Sequence, residues 1–450
     1  MTRARARLKP LRTQVIVITG ATSGIGLATA RRAADEGATV FLIARGEDDL
    51  RALNDELQSK GVRCAYAVCD VADEAGLAEA ADKCRRLFGG FDTWVNNAGV
   101  SIYGAIRDTT LEDQKRLFDT NYWGVVHGSL IAAEHLRARP DGGALINVGS
   151  VLGDAPIPVQ GVYSASKHAV KGFTNALRME LLREGAPVSV SLVKPSSIDT
   201  PYKDHARNLT GEPVHNPGPV YAAHVVADVI LHAAQHPLRE ITVGGGGRVL
   251  ASLHHMIPGV AEPLFARLIP RMTRDRQGET VPDDGLWDPT EDGLFEETDY
   301  PMVRGFSLLA QARMHPRAAA GGTLAVIALT ALAVVLMNRR QPAPLTRMER
   351  LRERLDLGRY VPDVDWRGLV ERADLGGRAS RLRDAGRDAL DRIPADRIRS
   401  DVSAGAGRAG AYAREHAKEG AGILAGLVAI ATLAATAYQL RDEGLDRFRR

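Results

Sequence analysis

The sequence predicts an α/β fold, a doubly wound domain on a parallel seven-stranded sheet, followed by a mostly helical C-terminal extension with two apolar spans. Three observations predict it. From Gln14 onward short apolar runs alternate with helical patterns, as in a parallel sheet covered on both faces. The 450 residues are 45% apolar and 25% charged, an ordinary globular composition that excludes disorder, a collagen-like fibre or a disulfide-stapled scaffold as a description of the whole chain. Two segments, 318–337 and 420–440, each run about 20 residues without a charge, the length needed to cross a hydrocarbon core of about 30 Å.

Taken in order, residues 1–13 form a basic arm with five cationic side chains and no acid. It reads as a solvated tail, with anionic lipid as the alternative contact, and no signal peptide is expected because the arm passes directly into a strand. The domain at 14–250 holds the strands VIVIT (15–19), TVFLIA (39–44), CAYAVC (64–69), TWVN (93–96), ALINVG (144–149), VSVSLV (188–193) and EITVG (240–244). Residues 251–317 extend it. Within them 254–272 is amphipathic, interrupted by Pro258 and Pro263, and is expected to cap the domain or lie at a membrane surface. The acidic stretch VPDDGLWDPTEDGLFEETDYP reads as an irregular, solvated loop. Between the spans, 338–419 is dense in Arg and Asp and too poor in large apolar residues for a core of its own. A basic tail, 441–450, closes the chain.

Charge and cysteine usage narrow the partners. Lys plus Arg number 58 against 55 Asp plus Glu, so no nucleic-acid footprint is expected. Cys64, Cys69 and Cys84 form no CxxC pair and read as small core hydrophobes in a reducing compartment. His254 and His255 lack the spacing of a zinc site, and no metal is expected. Tyr122 and Trp123 read as core packing.

The first strand runs into TGATSGIG (19–26) and then a helical pattern. Glycines there let the backbone turn sharply and approach a pyrophosphate held by the N-terminus of the following helix, the Rossmann-type arrangement. Gly20, Ser23, Gly24, Ile25 and Gly26 are therefore candidate cofactor contacts. The second strand ends at Arg45, where an acid would bind the ribose 2′-hydroxyl of NAD. Arginine instead pairs with a 2′-phosphate, which favours NADP(H) over NAD(H); the bland alternative is a solvated strand end beside Glu47 and Asp48. Tyr163 and Lys167 stand four apart at the start of a helical pattern, so an ammonium lies near a phenol and favours its phenolate. A proton shuttle at neutral pH needs the ordinary tyrosine value, near 10, brought down.

Together these residues resemble the short-chain dehydrogenase/reductase family in its single-domain, classical type. The resemblance covers roughly residues 13–250 and rests on TGATSGIG, CDV (69–71), NNAG (96–99), Asn121 in NYWG, Ser150 in NVGS, YSASK (163–167) and the segment 195–200. It implies that Tyr163 is the general acid/base and that Lys167 binds the ribose and depresses the Tyr163 pKa. Ser150 would hydrogen-bond the substrate oxygen, and Asn121 would hold a water in the proton relay. Asp70 and Val71 would flank the adenine, Asn97, Ala98 and Gly99 would line the cleft, and Pro195, Ile198 and Thr200 would lie at the nicotinamide. Two positions depart from the pattern: Gly149 replaces a common serine, and Ser196 replaces the glycine that usually follows the proline.

The expected activity is hydride transfer between a nicotinamide and a small-molecule carbonyl or alcohol substrate. Membrane attachment favours an apolar one. A different class, an NADP-binding membrane scaffold or redox sensor without turnover, is disfavoured because binding alone does not require Ser150 and Tyr163. Membrane association through the C-terminal helices, a catalytic domain facing the cytoplasm and a homo-oligomer, common among such relatives, complete the expectation. Arginines after the first span oppose that orientation, but charge bias weakens across loops longer than about 60 residues.

Overall fold

Seven parallel strands build the sheet: β1 (Val15–Thr19), β2 (Thr39–Ala44), β3 (Cys64–Val68), β4 (Thr93–Asn96), β5 (Gly143–Val148), β6 (Val188–Pro195) and β7 (Glu240–Val243). They lie in the order β7-β6-β5-β4-β1-β2-β3. Because β1 is flanked by β2 and β4, the order reverses beside it and opens a crevice at the carboxyl ends of the strands, where open α/β sheets bind ligands. The computed structural model describes residues 6–274, 284–290, 294, 300 and 302–316, all within one compact unit, Met1–Arg339.

Side chains alternate across the sheet with the strand period of two. Ile16 and Ile18 join α1 (Gly24–Asp35), α2 (Glu47–Ser59) and α7 (Ala223–Gln235) in one core layer, where Leu50, Leu53, Val226 and Ile230 are fully buried. Val17, Phe41 and Trp94 point to the other face, against α3 (Glu74–Phe88), α5 (Gly124–Arg137) and α6 (Gly161–Glu184). The three cysteines are buried and reduced, and desolvation pushes each thiol up to about 12, consistent with packing. Helix α4 (Leu111–Phe118) enters α5 through a π-turn, Asp119–Trp123.

Several elements differ from the sequence reading. β6 continues to Pro195 because Lys194, 1% exposed, sits inside the strand; hydropathy cannot see a lysine whose charge is met internally. Residues 6–13 are docked rather than a free tail: Lys9 pairs with Asp92 at 2.7 Å and Leu11 is buried. Trp123 is 48% exposed and stacks on His127 instead of filling a core. The boundary expected at 250 falls inside α8 (Gly245–Met256), which continues into α9 (Pro258–Met272). Residues 284–290 of the acidic stretch are not a solvated loop: Leu286 is completely buried, because the chain folds back across the crevice. The last helix among the described residues, α10 (Leu308–Met314), packs beside β7 and α7. Among the described residues no helix is long and apolar enough to cross a membrane. The stretches 318–337, 338–419, 420–440 and 441–450 lie outside them.

Candidate active site

The glycine turn after β1 is built for close backbone approach. Gly20 and Gly24 have φ of 62° and 50°, left-handed values that favour glycine. A Cβ at Gly26 would stand 1.8 Å from the Gly20 carbonyl oxygen, and one at Gly24 would press on Thr200 at 3.0 Å. Ser23 precedes α1 without capping it through its side chain, so the first-turn N–H groups face the crevice unfilled by a cap. Ile25 and Thr200 line the adjoining cavity. Asn97 fastens β4 to this turn, its amide donating to the carbonyls of Thr19 at 3.0 Å and Gly20 at 3.1 Å. The Thr19 hydroxyl accepts from the N–H groups of Asn97 and Ala98. The glycines, the bare helix N-terminus and the open crevice fit a dinucleotide pyrophosphate.

At the other end of the crevice Arg45, Asp70, Val71, Ala98 and Gly99 line one pocket. Arg45 is not a solvated strand end. It donates to the backbone carbonyls of Gly285 at 2.6 Å and Trp287 at 3.0 Å, and burial lowers its pKa. Asp70 accepts from Arg116 at 2.5 Å, while Arg116 also donates to the Leu286 carbonyl at 2.9 Å. Trp287 in turn donates to Asp113 at 3.0 Å. Two arginines thus tie residues 285–287 over the pocket, and the sequence reading missed both the strap and Arg116.

Ser150, Tyr163 and Lys167 come together in a cavity of about 250 Å³. Tyr163 and Lys167 occupy the first turns of α6, one above the other, with the Lys167 Nζ 5.6 Å from the phenol ring centre. Tyr163 lies within hydrogen-bonding reach of Ser150 and of Tyr202. Lys167 donates to the Val148 carbonyl at 3.2 Å, and burial brings it down to about 8. Burial also raises Tyr163, the opposite of the expected depression, because desolvation of the phenolate outweighs its hydrogen bonds. Asn121, fully buried in the π-turn, is close by, but its side chain is engaged: Oδ1 accepts from the Val100 N–H at 2.8 Å, and Nδ2 donates to the Val100 carbonyl and to Ser166. Pro195 and Ile198 also line the cavity.

Three further features escaped the sequence reading, and a fourth, Ser196, gains its explanation. Tyr202 packs edge-on against Tyr163, ring centres 5.6 Å apart, and accepts from Gln160 at 3.1 Å; its only trace was its place in the segment after Pro195. Asp154, four residues past Ser150, pairs with Lys194 at 2.5 Å and Lys171 at 2.6 Å, bracing the Ser150 loop against the end of β6. Val159, between Ser150 and Tyr163, has φ of 63°, a strained value for a β-branched residue. Ser196 is accommodated by glycines: a Cβ at Gly244 or Gly247 would come within 2.6 Å or 2.8 Å of its side chain.

Comparison with known proteins gives the family. The family described as short chain dehydrogenase matches residues 14–209. The uncharacterized oxidoreductase YxnA of Bacillus subtilis (strain 168) is 45% identical over 268 residues, 59% of this chain and 75% of its own length. Sulfoacetaldehyde reductase 2 of Chromohalobacter salexigens is 39% identical over 42% of this chain and 74% of its own. The crystal structure of a short chain dehydrogenase/reductase from Burkholderia phymatum in complex with NAD is similar with a TM-score of 0.51 and 27% identity, covering 58% of this chain and 96% of that one. The chain belongs to the short-chain dehydrogenase/reductase family, and it is an NAD(P)-dependent oxidoreductase.

Proposed function

We propose that this enzyme uses NADP(H) to interconvert a carbonyl and an alcohol on an apolar substrate, with Ser150, Tyr163 and Lys167 as its acting side chains. The convergence of these three groups on one cavity beside the glycine turn carries the reading. Ser23 to Gly26 would hold the pyrophosphate, Asp70 and Val71 the adenine, and Lys167 the nicotinamide ribose. Bound along this crevice, the nicotinamide supplies or accepts the hydride. Ser150 and Tyr163 hold the substrate oxygen, and in the reductive direction Tyr163 passes its proton to that oxygen as negative charge develops there. Lys167 places a cation beside the phenolate left behind, offsetting the cost that burial imposes on it. Asn121, its amide filled by Val100 and Ser166, braces this wall of the site.

The lining supports an apolar substrate. Beyond the reacting groups the cavity wall sets apolar Leu152, Ile157, Leu250, Ile269 and Met272 beside uncharged polar Gln160, Ser196 and Asn216, and Lys167 is the only cationic side chain among the described lining residues. An anionic substrate such as a sulfonate would lack a counter-charge there, unlike an apolar ketone, aldehyde or alcohol. Arg45, at the adenosine end, supports NADP(H): its guanidinium already holds two carbonyl oxygens and suits a 2′-phosphate. Turnover of a panel of apolar ketones, aldehydes and alcohols, compared between wild type and Tyr163→Phe, tests the assignment; equal turnover in the two proteins would refute it.

The sequence supports attachment to a membrane through 318–337 and 420–440, with the catalytic unit in the cytosol where NADP(H) is available. Labelling of an introduced Ser380→Cys from outside intact cells would support two crossings, and labelling only after permeabilisation would refute them.

A further inference from the structure

Helices α8 and α9 carry an apolar surface that no other described element covers. On and after α8, Leu253, Met256 and Ile257 are exposed, Met256 by 77%. On α9, Val260, Leu264 and Leu268 recur every four residues along one side, each between 43% and 65% exposed. The neighbouring stripe, Ala261, Phe265 and Ile269, is buried against Ile157. Hence α9 is apolar on two adjacent sides, of which the protein body covers one. Surface hydrophobes scattered singly need no explanation, but a run of this kind marks an interaction site.

Charge and connectivity say what covers it. Residues 245–274 contain four arginines, Arg248, Arg267, Arg271 and Arg274, against one acid, Glu262. Arg267 and Arg271 are exposed beside the apolar stripe. An amphipathic helix with a basic margin suits the interface of an anionic bilayer. The Gly244 N–H just before α8 donates to Ser307 at 3.2 Å, so the chain that follows starts from the same corner, with Phe306 and Leu308 also exposed. Two residues after the last described position, the uncharged stretch 318–337 begins. Met272 is 44% exposed and lines the active-site cavity with Ile269 and Leu250.

We propose that the α8–α9 face lies in the interface of an anionic lipid bilayer and that the enzyme takes its apolar substrate from that bilayer past Met272. The proposal rests on the membrane-attached, apolar-substrate reading above and gives it a contact surface. Arg267 and Arg271 sit at the polar margin, and the apolar side chains reach about 5–10 Å into the headgroup–acyl boundary.

The full chain, reconstituted into vesicles of phosphatidylcholine and phosphatidylglycerol, carries an environment-sensitive NBD fluorophore at Leu264→Cys or Leu268→Cys. A control label sits at Met179→Cys, 64% exposed on α6. The native cysteines are buried, with thiols near 12, and do not compete for mild labelling. The expected result is a blue shift and quenching by nitroxide-bearing phosphatidylcholine at 264 and 268, with no change at 179. The unlabelled double variant Leu264→Glu/Leu268→Glu should raise KM for a vesicle-dissolved substrate and leave kcat for a water-soluble one unchanged. Labels that stay unquenched on protein floating with the vesicles would overturn the docking face while leaving attachment intact. Failure to float would overturn both. Labels shielded from lipid but showing energy transfer between copies would overturn the bilayer in favour of a second copy of the chain.

Discussion

The proposed adenosine end and the proposed nicotinamide end of the crevice are neighbours held by different physics. At the adenosine end the fixed parts are backbone: glycines at 20, 24 and 26, the bare N-terminus of α1, and carbonyls of Gly285 and Trp287 gripped by Arg45. At the nicotinamide end the fixed parts are buried side chains, with Lys194 and Asp154 bracing the Ser150 loop and Tyr202 set against Tyr163. Backbone recognition tolerates side-chain change but not added bulk. A site made of buried charges tolerates bulk poorly and loss of a partner worse. Damage at one end should therefore leave the other standing.

The hardest test of that separation is Tyr163→Phe. Turnover should fall by roughly 10²–10⁴-fold while NADPH affinity stays within about twofold, because a proton-transferring hydroxyl is lost and little volume changes. Steady-state rates beside fluorescence titration of NADPH check it, and a parallel loss of affinity would break the separation.

Asp154→Asn should cost on the order of 1–3 kcal/mol of stability, since buried Lys194 is left with Glu240 as its carboxylate while Lys171, 32% exposed, turns to water. The pH behaviour follows in sign. The lysines hold the folded Asp154 below its ordinary value, so its contribution is present above the unfolded pKa of about 4 and is lost as pH falls through the lower, folded one. Urea melts of both proteins at pH 7 and in acid check this, and their difference should shrink in acid.

Lys167→Met separates activity from stability. Burial lowers Lys167 from 10.5 to about 8, so the folded protein bears a desolvation cost on the order of 3 kcal/mol below pH 8. The cost is relieved as pH rises from about 8 to 10.5. The variant should be inactive yet melt higher at neutral pH, with the gain vanishing above the ordinary lysine value. A lower Tm at pH 7 would show that the bond to Val148 matters more.

Arg45→Asp should weaken NADP(H) binding by about 10–100-fold and spare NAD(H), as a charge-assisted contact becomes a repulsion. Paired titrations of the two cofactors decide it, and equal loss of both would mean that Arg45 acts only by fastening the strap. The smallest effect belongs to Tyr202→Phe, a drop in kcat of about 3–10-fold from one lost hydrogen bond to Tyr163, visible in the pH–rate profile as a shift of the Tyr163 limb.

The sequence by itself determined the seven strands, the glycine turn and the Tyr163–Lys167 spacing. Each depends on residues within a few positions of one another: apolar runs bounded by turns, a strand entering a helix, two side chains four apart on one face. It also located Arg45 at the end of β2. Only the tertiary structure decided what Arg45 touches, for Gly285 and Trp287 are 240 and 242 residues away. The same holds for Lys194, whose burial depends on Asp154 and Glu240 arriving beside it. It holds again for the docked Leu286, which hydropathy hides inside an acidic stretch, and for α9, whose two apolar sides look alike until packing covers one. Local pattern records the period of an element. Which face is covered, and which charge is neutralised, depend on partners that the chain brings in from afar.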